Sequence, residues 1–357
     1  MSGPLPATPL TRLTGVRFPL VQTGMGWVAG PRLVAASANA GALGILGAAT
    51  MTADQLRAAI REVRSRTDRP FGVNVRADAG DAAERVGIIV AEGVRVASFA
   101  RRPPRELMAR LKDAGVVVMP TVGALRHAER AVERGADALI VQGGEAGGHT
   151  GEVATTVLLP QVVDAVGVPV VAAGGFHDGR GLVAALAYGA AGVAMGTRFL
   201  LTAESTVPAA VKAAYLAAAA QDAVVTTRVD GVPHRVLRTA FVDTLEHDGR
   251  ARALLRALRH VSAFRRLSGV SWPALLRDGL ALRRAAPAPW NRVLLAANTP
   301  MLLKAAMVDG RADAGVMASG QVVGLIEDVP SCAELVGRVM REAEEVLGRL
   351  AAATAVR

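Results

Sequence analysis

Short apolar runs and longer segments of helical period alternate along residues 19–197. The runs at 19–25, 42–46, 71–75, 95–99, 116–119, 138–141, 169–173 and 192–196 are built from Val, Ile, Leu, Ala and Gly with few polar interruptions. That pattern predicts strands buried on both faces, as in parallel sheets. Helices are predicted between them over 31–40, 52–66, 81–92, 104–114, 123–134, 158–165 and 179–188. Thr52 is an expected N-cap, and Pro31 and Gly41 bracket the first of these helices. Eight β–α steps are the number that closes a (β/α)8 TIM barrel, whose active site gathers at the C-terminal strand ends. An open doubly wound sheet is the competing architecture, but no G-x-G-x-x-G opens the first helix.

After Thr197 the alternation stops. Residues 206–220 are Ala-rich and helical in pattern, and 226–234 form a polar run. Two basic helices are expected over 250–279, a Pro-punctuated linker at 287–290, a helix opening at 298–301 and a closing helix over 331–353. The expected organisation is a barrel over 1–204, a mainly helical subdomain over 205–330 laid on the barrel mouth, and a last helix over 331–357 returning to the barrel.

Candidate chemistry collects where strands end. The sixth run empties into Gly143, Gly144, Gly147 and Gly148 and then His149, whose ordinary pKa of about 6.5 suits proton transfer at neutral pH. Taken alone, this stretch reads equally as a glycine-rich turn bearing a surface histidine. Gly24, Met25, Gly26 and Trp27 follow the first run, Asn74 lies on the third, and Gln142 ends the sixth. Gly174 and Gly175 follow the seventh, and Gly196 and Thr197 the eighth, the two places where such barrels commonly hold a phosphate on backbone amides. Asp178 and Arg180 read as caps of the next helix, and Gln321 as a site contact or a helix cap.

Composition narrows the classes. A net charge of +10 raises nucleic acid as a partner. The arginines are scattered and aromatics make up only 3%, so no platform for stacking bases is expected. The single Cys332 excludes an internal disulfide and reads as a buried small residue at a helix start. His127, His177, His234, His247 and His260 lie far apart in the chain, and no metal site is expected from their spacing. No secretory leader or membrane-spanning run is apparent, so a cytoplasmic protein is expected.

At these residues the chain resembles the nitronate monooxygenase (2-nitropropane dioxygenase-like) family of FMN-dependent TIM-barrel enzymes. The likeness rests on residues 19–25, 70–74, 143–149, 172–175 with 178–180, and 195–199, in that order. It implies FMN on top of the barrel and His149 as active-site base or electrostatic partner. Met25 and Gly26 would approach the ring, Asn74 and Gln142 would bond its polar edge, and Gly148, Gly174, Gly175, Gly196 and Thr197 would hold the phosphate end. One departure is Thr150, where many nitronate oxidisers carry arginine, which weakens a direct transfer of nitronate specificity.

The same loop pattern is similar to that of FMN-dependent enoyl-acyl-carrier-protein reductases. Residues 205–208, 224–238, 296–303 and 318–321 resemble an actinobacterial branch linked to steroid C- and D-ring breakdown. That branch implies redox chemistry at the Cα–Cβ bond of a ring-bearing acyl-CoA, with His149 exchanging the α-proton. His234, from its place in the polar run, and Trp27, beside the first strand, are candidate substrate contacts, with ordinary packing the other reading of Trp27; the basic residues 250–284 either meet the CoA phosphates or form a solvated face. Nitronate oxidation with O2 is the alternative within oxidoreductases, and a non-redox phosphate-binding barrel the alternative outside them. NAD(P)H or O2 as redox partner and a homodimer are further expectations.

Overall fold

The computed structural model describes residues 7–100, 102–247, 249, 259, 262 and 298–354. Eight parallel strands close into a barrel: β1 (Leu20–Gln22), β2 (Leu43–Gly47), β3 (Phe71–Arg76), β4 (Val96–Ala100), β5 (Val117–Val122), β6 (Leu139–Gln142), β8 (Val170–Ala173) and β9 (Gly192–Met195). β1 pairs with β9, Val21 opposite Ala194, which completes the ring. Inside it pack Val21, Leu43, Ile45, Val96, Met119, Ile140 and Val171. Each such side chain, fully buried, contributes roughly 1.5–3 kcal/mol. A short helix α1 (Pro9–Thr14) lays Leu10 against this cluster and so plugs the N-terminal end.

Helices α2 (Pro31–Asn39), α3 (Ala53–Arg66), α4 (Ala82–Ala91), α5 (Arg105–Asp113), α6 (Leu125–Glu133), α7 (Thr155–Ala165) and α8 (Gly179–Ala187) surround the barrel. Thr52 caps α3 in a reciprocal box: its hydroxyl accepts Gln55 N–H at 3.2 Å and the Gln55 amide oxygen accepts Thr52 N–H at 2.9 Å. Asp178 caps α8 through Gly181 N–H at 2.9 Å, as expected, while Arg180 pairs with the Asp178 carboxylate. α7 starts at Thr155, three residues before the expected start. The reason lies outside local sequence: the Glu145 carboxylate reaches from the glycine-rich loop to accept both Thr155 N–H (2.9 Å) and its hydroxyl (2.7 Å).

Beyond α9 (Thr197–Leu200) and α10 (Ala209–Leu216), the polar run forms a hairpin. β10 (Ala223–Thr226) pairs antiparallel with β11 (His234–Leu237), and β11 pairs with the two-residue strand β7 (Gly148–His149). This three-stranded sheet stitches the later segment to the glycine-rich loop, and it was not apparent as an element in the sequence pattern. α11 (Ala240–His247) and the helix Asn298–Met307 follow, and the expected basic helices and linker lie outside the described residues apart from Arg259 and Ser262. The helix Cys332–Thr354 runs back along the barrel, burying Leu335, Val336, Val339, Met340 and Ala343 at helical spacing. Its Glu342 accepts Gly179 N–H at 2.9 Å, and a side chain at Gly179 would overlap Ala343. Cys332 is buried at its start, where burial above all, with the Glu204 carboxylate, pushes the thiol up to about 12. Among the described residues no helix is long and apolar enough to cross a membrane.

Candidate active site

The parallel barrel brings the sequence-predicted residues to one rim, because every barrel strand points its C-terminal end the same way. Met25 sits in the turn after β1, its sulfur 3.7 Å from the position a Cβ at Gly196 would take. Gly24 serves packing, since a Cβ there would overlap that of Asn74, and Gly26 lies beside Thr50. Asn74, on β3, donates to Ser98 Oγ at 3.2 Å. Gly174 and Gly175 adopt φ of +106° and +82°, a left-handed pair that side chains resist. Thr197 Oγ1 accepts Gly320 N–H at 3.0 Å, which leaves its proton to donate elsewhere.

Several of the expected residues are tied to other tasks. The Gln142 amide donates to the backbone carbonyl of His149 and so joins the end of β6 to β7. Gly148 has φ +74° beside the His234 ring. Trp27 donates its indole N–H to Pro300 O at 2.8 Å, anchoring the turn after β1 to the helix Asn298–Met307. Gln321 donates its backbone N–H to Glu145 O and lines a groove of about 410 Å³ with Gly144, Pro233 and Arg235; His149 is not part of that groove. Arg235 is held there by donating to Gly144 O at 2.8 Å and to Ala223 O at 2.7 Å.

The centre of the site is a trio that sequence spacing had scattered. His149 Nε2 lies 2.6 Å from Asp230 Oδ2, and the His149 and His234 rings are 4.6 Å apart, tilted by 49°. The pairing of β7 with β11 sets His149 directly opposite His234, and the loop before β11 supplies Asp230. Thr299 donates its hydroxyl to the same Oδ2 at 2.8 Å, and Val232 N–H reaches Oδ1 at 3.2 Å. Burial pushes the Asp230 carboxyl up, but the hydrogen bond and charge of His149, the Thr299 hydroxyl and His234 outweigh it and bring the group down to about 2. An ionised carboxylate only accepts, so Nε2 of His149 is the donor in this contact, and Nδ1 is the ring nitrogen turned away from the carboxylate. The His149 side chain is 45% exposed against 6% for Asp230, so the histidine faces outward on a buried carboxylate.

His234 is the reverse case. Burial, with repulsion from His149 and against the pull of Asp230, takes its pKa down to about 4, and the ring is neutral at pH 7. Both its ring nitrogens are buried without a hydrogen-bond partner among the described residues. Arg76, at the end of β3, is a further member that the strand pattern did not mark. It donates two hydrogen bonds of 3.0 Å to Asp78. Burial works against its charge, but Asp78, then Asp230 and Asp81, raise its pKa. Asp230 was also missed; its one sequence signal was the Asp230-Gly231 pair between apolar runs, a hairpin cue.

The rim fits a flavin on structural grounds. Gly175 and Gly196 meet nothing closer than 3.4 Å where a Cβ would stand, so their backbone is open to a ligand. The side-chain oxygen of Gln22, at the end of β1, is buried without a partner among the described residues, an acceptor that a ring N–H would satisfy.

The nitronate monooxygenase profile matches residues 7–86 and 82–342. The chain is 62% identical over 339 residues to the (3aS,4S,5R,7aS)-5-hydroxy-7a-methyl-1-oxo-octahydro-1H-indene-4-carboxyl-CoA dehydrogenase of Mycobacterium tuberculosis, covering 94% of this chain and 96% of that protein. It is 59% identical over 345 residues to the protein of the same description from Rhodococcus jostii, covering 97% and 98%. Its fold matches the structure of FabK from Thermotoga maritima with a TM-score of 0.82 and 33% identity, over 98% of this chain and 99% of that one. A rim of strand-end glycines, an outward histidine held by a buried carboxylate, and a profile spanning nearly the whole barrel agree: the chain belongs to the nitronate monooxygenase family, and it is an oxidoreductase.

Proposed function

We propose that this protein is an FMN-dependent dehydrogenase that introduces a Cα–Cβ double bond into a ring-bearing, steroid-derived acyl-CoA. The observation that carries the reading is the 62% identity to the indane carboxyl-CoA dehydrogenase over almost the full length of both chains. The His149–Asp230 pair supports it. Family membership sets aside a non-redox barrel.

The α-proton of a thioester is acidic because the carbonyl delocalises the resulting charge. His149 takes it at Nδ1, while Asp230 holds the Nε2 proton, fixes the ring and balances the charge the ring acquires. Thr299 and the Val232 amide keep the carboxylate from turning away. The flavin, when bound, supplies the two-electron acceptor for the β-hydrogen as hydride. Met25 and Gly26 would approach the ring, Asn74, Gln22 and Gln142 its polar edge, and the amides of Gly174, Gly175, Gly196 and Thr197 the phosphate. His234, behind His149, supports the base, and Trp27 ties the turn after β1 to the helix Asn298–Met307 that carries Thr299.

Anaerobic mixing with an indane carboxyl-CoA and, separately, with propionate 3-nitronate tests this. Bleaching of the flavin by the acyl-CoA within a turnover is expected. Bleaching by the nitronate alone would replace this reading with nitronate oxidation, and a colourless protein that takes up no FMN would remove the cofactor.

A further inference from the structure

We propose that His149, Asp230 and His234 form a divalent transition-metal site of the two-histidine, one-carboxylate kind, which takes Zn2+ and thereby withdraws His149 from proton transfer. The three side chains offer one ligand atom each, all within 4.8 Å of one another. They come from two adjacent antiparallel strands and the loop that enters one of them, so the backbone sets their approach. Directly opposed residues on neighbouring strands project to one face with their Cβ atoms roughly 5 Å apart, close enough for two imidazoles to share an ion.

The independent observation is His234. Both its nitrogens are buried and without a partner among the described residues, whereas buried polar atoms are ordinarily satisfied. Two imidazoles and a carboxylate are a donor set suited to Zn2+, Co2+ or Fe2+. The ion replaces the proton shared by His149 Nε2 and Asp230 Oδ2, which are 2.6 Å apart, and that pair opens by somewhat under ~1 Å to accept metal–ligand bonds of about 2.0–2.2 Å. The proton passes through solvent from Nε2 to Nδ1 of the same ring, which stays neutral but no longer offers a lone pair to a substrate, and no electron transfer is involved. Thr299, already bonded to Asp230, orients the carboxylate, and the nearby Arg76 cation is engaged by Asp78. The consequence for catalysis rests on the function proposed above; the binding does not.

Equilibrium dialysis of the flavin-loaded protein against Zn2+, with the metal counted per chain, tests the site. One ion per chain is expected for wild type and for His234→Cys, which keeps a ligand. Binding weaker by about tenfold or more is expected for His234→Phe and Asp230→Asn. In wild type, Zn2+ should also protect His149 from acylation by diethyl pyrocarbonate, read on the peptide that carries it. Absence of stoichiometric binding, equal binding in His234→Phe, or unprotected His149 would each overturn the site. These readouts need no turnover, so an active, acyl-CoA-specific enzyme that binds no Zn2+ sinks this inference alone. A Zn2+-binding protein that no acyl-CoA bleaches sinks only the dehydrogenase reading.

Discussion

At the scale of single residues, the site sets an outward histidine on a buried carboxylate, and the proposed function makes that histidine the base. His149→Ala removes the proposed proton acceptor but no part of the glycine rim. Stopped-flow reduction should therefore slow by about 10²–10⁴-fold while the flavin spectrum and stoichiometry stay unchanged. Full activity in that variant would end the role assigned to His149. Asp230→Asn leaves a neutral amide that can turn a donor toward Nε2, so the ring loses its fixed tautomer. Loss of a buried, charge-assisted hydrogen bond amounts to about 1–3 kcal/mol, and kcat should fall roughly ten- to hundredfold. Asp230→Glu, which keeps an ionised acceptor, should recover part of that loss if positioning is what Asp230 provides.

At the scale of elements, the glycine-rich loop works because several short contacts hold it. Gly174 is left-handed, and a Cβ there would come within 3.0 Å of Thr155 Oγ1. Gly174→Ala should cost about 1–2 kcal/mol in backbone strain and weaken flavin uptake, measured by quenching of flavin fluorescence on titration. Unaltered uptake would show that the amide of this turn is not used. Glu145 is the cap of α7 across ten residues of loop. Glu145→Ala should lower stability by about 1 kcal/mol, with a fall in Tm that a destabilised α7 would show in amide exchange. Here local sequence was a partial guide. It placed Thr52 and Asp178 as caps because each lies next to the helix it serves, but the start of α7 depends on a carboxylate from another loop.

At the scale of the whole molecule, one buried histidine couples the hairpin to global stability. His234 has its folded pKa lowered to about 4 from an ordinary value near 6.5. The unfolded chain therefore binds a proton that the folded chain refuses between those pH values, so stability is full above 6.5 and falls as pH drops toward 4. The loss is of order 3 kcal/mol, and His234→Phe in metal-free buffer should flatten this part of the pH–Tm curve. Parallel curves for the two proteins would remove His234 as the cause. The barrel itself was legible in the sequence because strands buried on both faces need continuous apolar runs, and eight of them recur with helices between. The strand-end glycines and His149 were legible for the same reason, since the position of a residue at a strand end follows from the strand. Asp230 and its contact with His149 were not, because 81 residues separate them and only the pairing of β11 with β7 brings them together. Sequence alone determined the eight-fold repeat and the place of His149 at its rim, because both are encoded in local hydrophobic period and residue type. Tertiary structure alone decided what anchors that histidine, because a two-residue strand carries too little pattern to announce its partner.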